Sequence, residues 1–137
     1  MMLTEADFAG DWLFNRRIED RFGGQEGIVT GTANFVRQDD KLLYRETGRM
    51  QIGAGPVLTA ERSYLWRFGD VVEVLFDDGR AFHSFVPQGQ GQGTDHPCGP
   101  DYYKVAYDFT AWPNWSSTYV VSGPRKDYTS QTTYNRP

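Results

Sequence analysis

Residues 12–22 read WLFNRRIEDRF. Taken alternately, Trp12, Phe14, Arg16, Ile18 and Phe22 fall on one face of an extended chain, and Leu13, Asn15, Arg17, Glu19 and Arg21 on the other. A period of two with one mostly apolar face is the pattern of a half-buried strand, so the first face is expected to point inward. Gly23-Gly24 supplies a turn, and Glu26 to Gln38 follows as a second strand. Its small residues Thr30, Gly31, Thr32 and Ala33 allow tight bending.

The same pattern continues along the chain. Asp39-Asp40 turns it into Leu42 to Ile52, with Leu42, Tyr44, Glu46, Gly48 and Met50 sharing a side. After Gly53-Ala54-Gly55-Pro56 comes Leu58 to Phe68, with Leu58, Ala60, Arg62, Tyr64 and Trp66 together. Gly69-Asp70 leads into Val71 to Phe76, and Asp78-Gly79 into Arg80 to Val86. The stretch Gln88 to Thr94, QGQGQGT, lacks the ending of a phosphate-binding loop and reads as a flexible loop at a barrel mouth. Tyr102 to Phe109, a Trp112-Pro113-Asn114-Trp115 corner, Ser117 to Ser122 and Tyr128 to Asn135 complete the chain, with Gly123 to Asp127 turning between the last two runs. Ahead of the first strand, Thr4 to Gly10 has a capping threonine, early acidic groups and a closing glycine, which predicts one short helical turn.

Eight to nine sequential strands with almost no helix predict an all-β fold. An antiparallel up-and-down barrel is the simplest arrangement, since closure removes exposed edges; a two-sheet sandwich is the competing one. At 137 residues the chain is expected to form one domain spanning 1–137. A net charge of -4 with no basic face argues against a nucleic-acid partner. The first residues have neither a positive start nor an apolar run, so a cytoplasmic protein without membrane contact is expected. The single cysteine agrees with a reducing compartment. Eight tyrosines place many hydroxyl tips in the prospective interior, which suits a cavity holding water or a polar ligand.

Gly10-Asp11-Trp12 at the head of the first strand resembles the Gly-x-Trp signature of the calycin superfamily, the lipocalin and fatty-acid-binding-protein barrels. The resemblance implies that Trp12 closes the barrel base and that a basic residue at the last strand, matched here by Arg136, stacks across it. The secretory features of lipocalins, a signal peptide and a disulfide pair, are missing. Trp66, Asp78-Gly79-Arg80-Ala81-Phe82-His83, Asp101-Tyr102-Tyr103, Trp112-Pro113 and Gly123-Pro124-Arg125-Lys126-Asp127-Tyr128 resemble an uncharacterised bacterial family of lipocalin-like barrels, a domain of unknown function. That resemblance implies a fold and transfers no catalytic residue.

Three groups of residues carry candidate chemistry. Arg16, Glu46 and Arg62 share faces with Trp12, Tyr44 and Tyr64, and burying charges beside aromatics is costly unless they pair or hold a ligand. Two cations against one carboxylate leave a positive excess suited to an anion, unless the three form a structural network. His83, His96, Cys98 and Asp101 include metal-ligand types and a thiol that a histidine would activate, but without the paired spacings of a zinc site; the plainer reading is a stiff mouth loop, with His83 facing the pocket. No metal and no cofactor are expected. The tyrosines Tyr44, Tyr64, Tyr103, Tyr107, Tyr119 and Tyr128 would orient a small ligand, or else serve as core and rim residues.

The sequence thus points to a calycin-type barrel binding a small anionic or amphipathic molecule through Arg16, Tyr44, Glu46, Arg62, Tyr64, His83, Tyr103 and Tyr107, with a homodimer as a further expectation. The alternative is a small cofactor-independent decarboxylase, isomerase or hydrolase. It would use Glu46, with a raised pKa, or His83 as acid/base, and Arg62 to grip the substrate; phenolic acid decarboxylases offer the analogy. A third reading is an interaction module using the Trp112–Trp115 corner.

Overall fold

The structure, a computed structural model, describes residues 1–137. One helical turn, α1 (Glu5–Phe8), precedes eleven strands: β1 (Gly10–Asp20), β2 (Gln25–Gln38), β3 (Lys41–Ile52), β4 (Val57–Phe68), β5 (Val72–Phe76), β6 (Ala81–Phe85), β7 (Gln90–Gln92), β8 (His96–Cys98), β9 (Asp101–Asp108), β10 (Trp115–Gly123) and β11 (Lys126–Asn135). They form one antiparallel sheet in the order β6-β5-β4-β3-β2-β1-β11-β10-β9-β7, with β8 also on β9. The sheet curls into a nearly closed barrel with eleven strands, more than the eight to nine expected. The two extra strands, β7 and β8, lie in segments whose Gly, Gln and Pro residues show no alternation of apolar side chains, so only backbone pairing reveals them.

The Gln88–Thr94 segment is therefore not a mouth loop but the barrel's seam. β7 pairs with β9 through Gln90–Asp108 and Gln92–Ala106. Beyond it, Gly93 N donates to Val105 O of β9 at 2.7 Å, and Thr94 N donates to Ser84 O of β6 at 2.8 Å. The Ser84 N–H in turn donates to Thr94 Oγ1 at 2.9 Å. These bonds use edge groups of β6 and β9 that would otherwise template aggregation.

The curl needs close strand approach where the inner face is crowded. Phe14, Gly31, Gly48 and Ala60 form one cross-strand row over β1 to β4. A Cβ on Gly31 would meet Thr47 O at 2.1 Å, and one on Gly48 would meet the Phe14 ring at 3.0 Å. Neither site has space for a side chain, and the Phe14 ring occupies what the glycines leave open.

The base is sealed by aromatic packing. Phe8 of α1 is fully buried, with the rings of Phe35, Trp66, Phe68, Phe109, Trp112 and Trp115 at 5.0–5.8 Å. Burying one phenylalanine this completely stabilises by about 1.5–3 kcal/mol. The Trp12 indole N–H donates to Phe8 O at 2.9 Å, and the Arg136 guanidinium lies over the Trp12 ring at 3.8 Å, as the Gly-x-Trp resemblance implies.

Two further expectations are corrected. Phe22 does not point inward: β1 ends at Asp20, and Phe22 sits in the following turn, 62% exposed. The Trp112–Trp115 corner is not a surface platform, because Trp115 is a core residue and Trp112 packs on Phe8 and Trp12. With both indoles turned inward, that corner does not present a pair of exposed tryptophans. No helix is long and apolar enough to cross a membrane.

Candidate functional site

Arg16, Glu46 and Arg62 all project from inner faces of the barrel, as the alternation requires, and line one cavity with Tyr44, Tyr64 and Tyr107. Its floor and far wall come from β10 and β11, including Trp115, Ser117, Tyr119, Thr132 and Tyr134. The free space is about 10 Å³, enough for about one water molecule. The interior is filled largely by its own side chains.

Arg16 and Glu46 are both buried and form a two-pronged ion pair, Arg16 Nη1 to Glu46 Oε2 at 2.7 Å and Nη2 to Oε1 at 2.8 Å. Arg16 Nε donates to Thr132 Oγ1 at 2.7 Å. Tyr44 Oη lies 2.6 Å from Glu46 Oε1 and 2.9 Å from Tyr134 Oη. An ionised carboxylate only accepts, so Tyr44 spends its proton on Glu46 and must accept from Tyr134. The hydrogen-bond order Tyr134 to Tyr44 to Glu46 is thereby fixed.

Burial alone would raise the Glu46 pKa. The Arg16 hydrogen bonds and charge, then the Arg62 charge and the Tyr44 hydroxyl, outweigh it and hold the carboxyl below its ordinary range. This reverses the raised pKa expected of a catalytic glutamic acid: Glu46 is an ionised, saturated acceptor. Burial likewise raises the Tyr44 and Tyr107 phenols well above their ordinary range, with further contributions from neighbouring phenols and, for Tyr44, from Glu46. Both are neutral donors near neutral pH.

Arg62 is the residue left over. It is the cross-strand partner of Glu46, yet none of the eight ion pairs in the chain includes it. Burial lowers its pKa, but Tyr64, Glu46 and Tyr119 more than offset this and keep it charged. Trp115, which lines the same cavity, leaves its buried Nε1 without a hydrogen-bond partner.

His83 and Tyr103 lie outside the cavity lining. His83 is buried behind Tyr107, with Nε2 2.7 Å from Tyr107 Oη and Nδ1 buried without a partner. Burial, and secondarily the charge on His96, push its pKa down to about 3. Tyr103 packs on Phe82 and His96 near the mouth. His96, Cys98 and Asp101 do not join His83: Cys98 is exposed, Asp101 pairs with Lys126 at 3.0 Å, and no three His, Cys, Asp or Glu side chains converge on a metal-sized site. Sequence reasoning missed Trp115, Ser117, Ser130, Thr132 and Tyr134. Alternation along β10 and β11 places them all inward and was signal enough to find them.

The curled antiparallel sheet, the plugged base and the Trp12–Arg136 stack define a lipocalin-like barrel of the calycin type. The chain belongs to a family of unknown function, DUF6314, whose model matches residues 8–136. A solved structure of an S-type phycobiliprotein lyase from Guillardia theta is similar, with a TM-score of 0.64 and 11% identity over 96% of this chain and 89% of that one. A protein of unknown function from the DUF3598 family of Nostoc punctiforme is also similar, with a TM-score of 0.57 and 14% identity over 97% of this chain. This chain spans about half of that one, 48%. At such identities the likeness carries the fold. No curated protein matches the chain.

Proposed function

We propose that this barrel, acting as one domain over residues 1–137, binds a small anionic or amphipathic molecule, with Arg62 as the anchor for its negative charge. The observation that carries this reading is the Arg62 cation, which has no ion pair of its own beside a carboxylate whose hydrogen bonds go to Arg16 and Tyr44. Arg62 is half-buried, so its charge is only partly hydrated against the aromatic walls, and an incoming anion would give it a partner. The planar guanidinium fork suits an oxyanion. Tyr64 and Tyr119 flank the same cavity and add neutral hydroxyl donors. Arg16, Glu46 and Tyr44 hold the wall in place and do not themselves grip the ligand, while His83 fixes the Tyr107 hydroxyl from behind.

That a barrel of this shape also serves a phycobiliprotein lyase is compatible with ligand handling. A pocket with room for about one water is not preformed for a large guest.

The test is native mass spectrometry of wild-type and Arg62→Met proteins purified identically from their own cells. The wild type is expected to carry an acidic small molecule that Arg62→Met lacks, with unchanged circular dichroism in both. The same adduct at the same occupancy in both proteins would remove Arg62 from the site.

A further inference from the structure

We infer that the open edge of β4 from Val57 to Ser63 is a docking site for an extended segment of a partner chain, which joins the barrel wall as an added strand. The segment that fits is rich in β-branched residues and carries a basic side chain at an outward position.

The first reason is the backbone. β4 pairs with β3 from Val57 to Trp66, but with β5 only from Tyr64 to Phe68. Phe76 N donates to Arg80 O, so the backbone of Phe76 turns to β6, and β5 bonds to β4 through Leu75 and Glu73, opposite Leu65 and Arg67. By the same alternation Val57, Thr59, Glu61 and Ser63 turn their N–H and C=O groups to the opening. No hydrogen bond outside the ladders uses these groups.

The second reason is what the edge carries. β8, across the opening, is three residues long with Pro97, which has no N–H, at its centre. β4 has no proline, lysine or bulge from Val57 to Ser63, and Val57 and Leu58 are 51% and 52% exposed. Leu58 and Ala60 face inward and suit apolar β-branched neighbours. Glu61 faces outward and forms no ion pair, which suits a basic one.

The third reason is room. Toward the base, β5, β6 and the Gln88–Thr94 segment lie between β4 and β9. Toward the mouth only β8 does, so two strand positions there hold no backbone. They are bordered by Phe76, Phe82, His96 and Tyr103, whose rings pack at 5.4–5.9 Å. One added strand fits. A second copy of β4 does not: it brings β3 and β2 beside it, and the third of these meets β8. Pairing of the two copies about Ala60 would also set Leu58 of each opposite Arg62 of the other.

The experiment uses a capped peptide, threonine-threonine-lysine-valine-threonine-valine-threonine, which in antiparallel register sets lysine opposite Glu61 and the valines opposite Ala60 and Leu58. Binding to the intact protein is followed by chemical-shift titration and amide hydrogen exchange. In the free protein the N–H groups of Thr59, Glu61 and Ser63 are expected to exchange freely, while those of Ala60 and Arg62, bonded to β3, are protected. The peptide should slow the first set alone. N-methylation of the peptide at lysine or at the middle threonine removes an N–H that faces β4 and should weaken binding at least about tenfold; N-methylation at the valine between them should change it little. Glu61→Lys should weaken binding about threefold, and glutamate in place of the peptide's lysine should regain that loss on the variant. Equal effects of N-methylation at neighbouring positions, or no binding to a protein with native circular dichroism, overturns the strand addition. Protection of Thr59, Glu61 and Ser63 in the free protein also overturns it: with a dimer in sedimentation the edge belongs to a second copy, and with a monomer it is already closed.

Discussion

Arg16 of β1 and Glu46 of β3 meet inside the barrel over the strand between them, with side chains 5% and 4% exposed and two parallel N–H···O bonds of 2.7 and 2.8 Å. Nearly every remaining polar atom of the pair is used, by Thr132 on the arginine side and Tyr44 on the glutamate side. This saturation is what leaves Arg62 free. Glu46 has two cations within electrostatic reach, and its bonds go to the one on the non-adjacent strand.

Glu46→Gln strands the Arg16 charge in the interior, and a buried pair broken from one side costs about 3–5 kcal/mol. Urea denaturation should show that loss, while Arg16→Met/Glu46→Leu, which removes both charges together, should recover a substantial part of it. The pH dependence has a defined sign. Because the folded-state pKa of Glu46 is depressed, its contribution is complete above the unfolded value of about 4.3 and is lost as pH falls through the lower folded value. Glu46→Gln should lack that part of the acid transition.

His83 gives a second pH signature at higher pH. Its folded-state pKa of about 3 lies below the unfolded value of about 6.5. Between these values the unfolded chain takes up a proton that the folded chain refuses. Stability from this group is therefore full above about pH 6.5 and falls by about 1.4 kcal/mol per unit as pH drops. Between about pH 6.5 and 4.5 Glu46 is ionised in both states, so its contribution is constant there and adds no slope. His83→Phe/Tyr107→Phe removes the titrating ring together with its hydroxyl partner. Its stability measured by urea titration should be flatter than wild type across that window; parallel curves would show that the buried imidazole does not titrate this way.

The parity rule made much of this legible from the residues alone. It places Trp12, Phe14 and Arg16 on the inner face of β1, and Leu42, Tyr44 and Glu46 on that of β3, where the structure has them buried. It would have delivered Ser130, Thr132 and Tyr134 as well, had it been carried into β11. Where it fails, the backbone is irregular. A register shift between Val74 and Leu75 breaks the β5–β6 ladder, so neighbours such as Phe82 and His83 are both buried. Leu58 keeps its inward parity but lies where β4 has outrun β5. The seam strands β7 and β8 carry no apolar pattern at all. Nor does adjacency reveal the ion pair: Arg62 is the register partner of Glu46, and only three-dimensional closure shows that Arg16 takes the carboxylate.

Arg136 ties the end of the last strand to the base plug, and its loss should be felt at α1. Its guanidinium stacks on Trp12 at 3.8 Å while Nη1 donates to Asp11 O at 2.9 Å and Nη2 to Asp7 O and Ala9 O at 2.9 and 3.1 Å. These carbonyls belong to the single turn of α1 and to the residues just after it, and that turn is too short to hold itself. A stacked cation and hydrogen bonds from a charged donor together make Arg136→Ala cost about 2 kcal/mol, and Arg136→Lys, a point charge without the fork, should restore less than half. Gly10 is coupled to the same clamp: its φ is +103°, and a Cβ there would stand 3.2 Å from Arg136 Nη1. Gly10→Ala should therefore destabilise the wild type through both backbone strain and displacement of the guanidinium, and destabilise Arg136→Ala by less. Hydrogen exchange at the Trp12 indole N–H, bonded to Phe8 O, reports the clamp directly. Faster exchange in Arg136→Ala than in wild type is the expected result, and equal rates would mean that the plug is held by its aromatic packing alone.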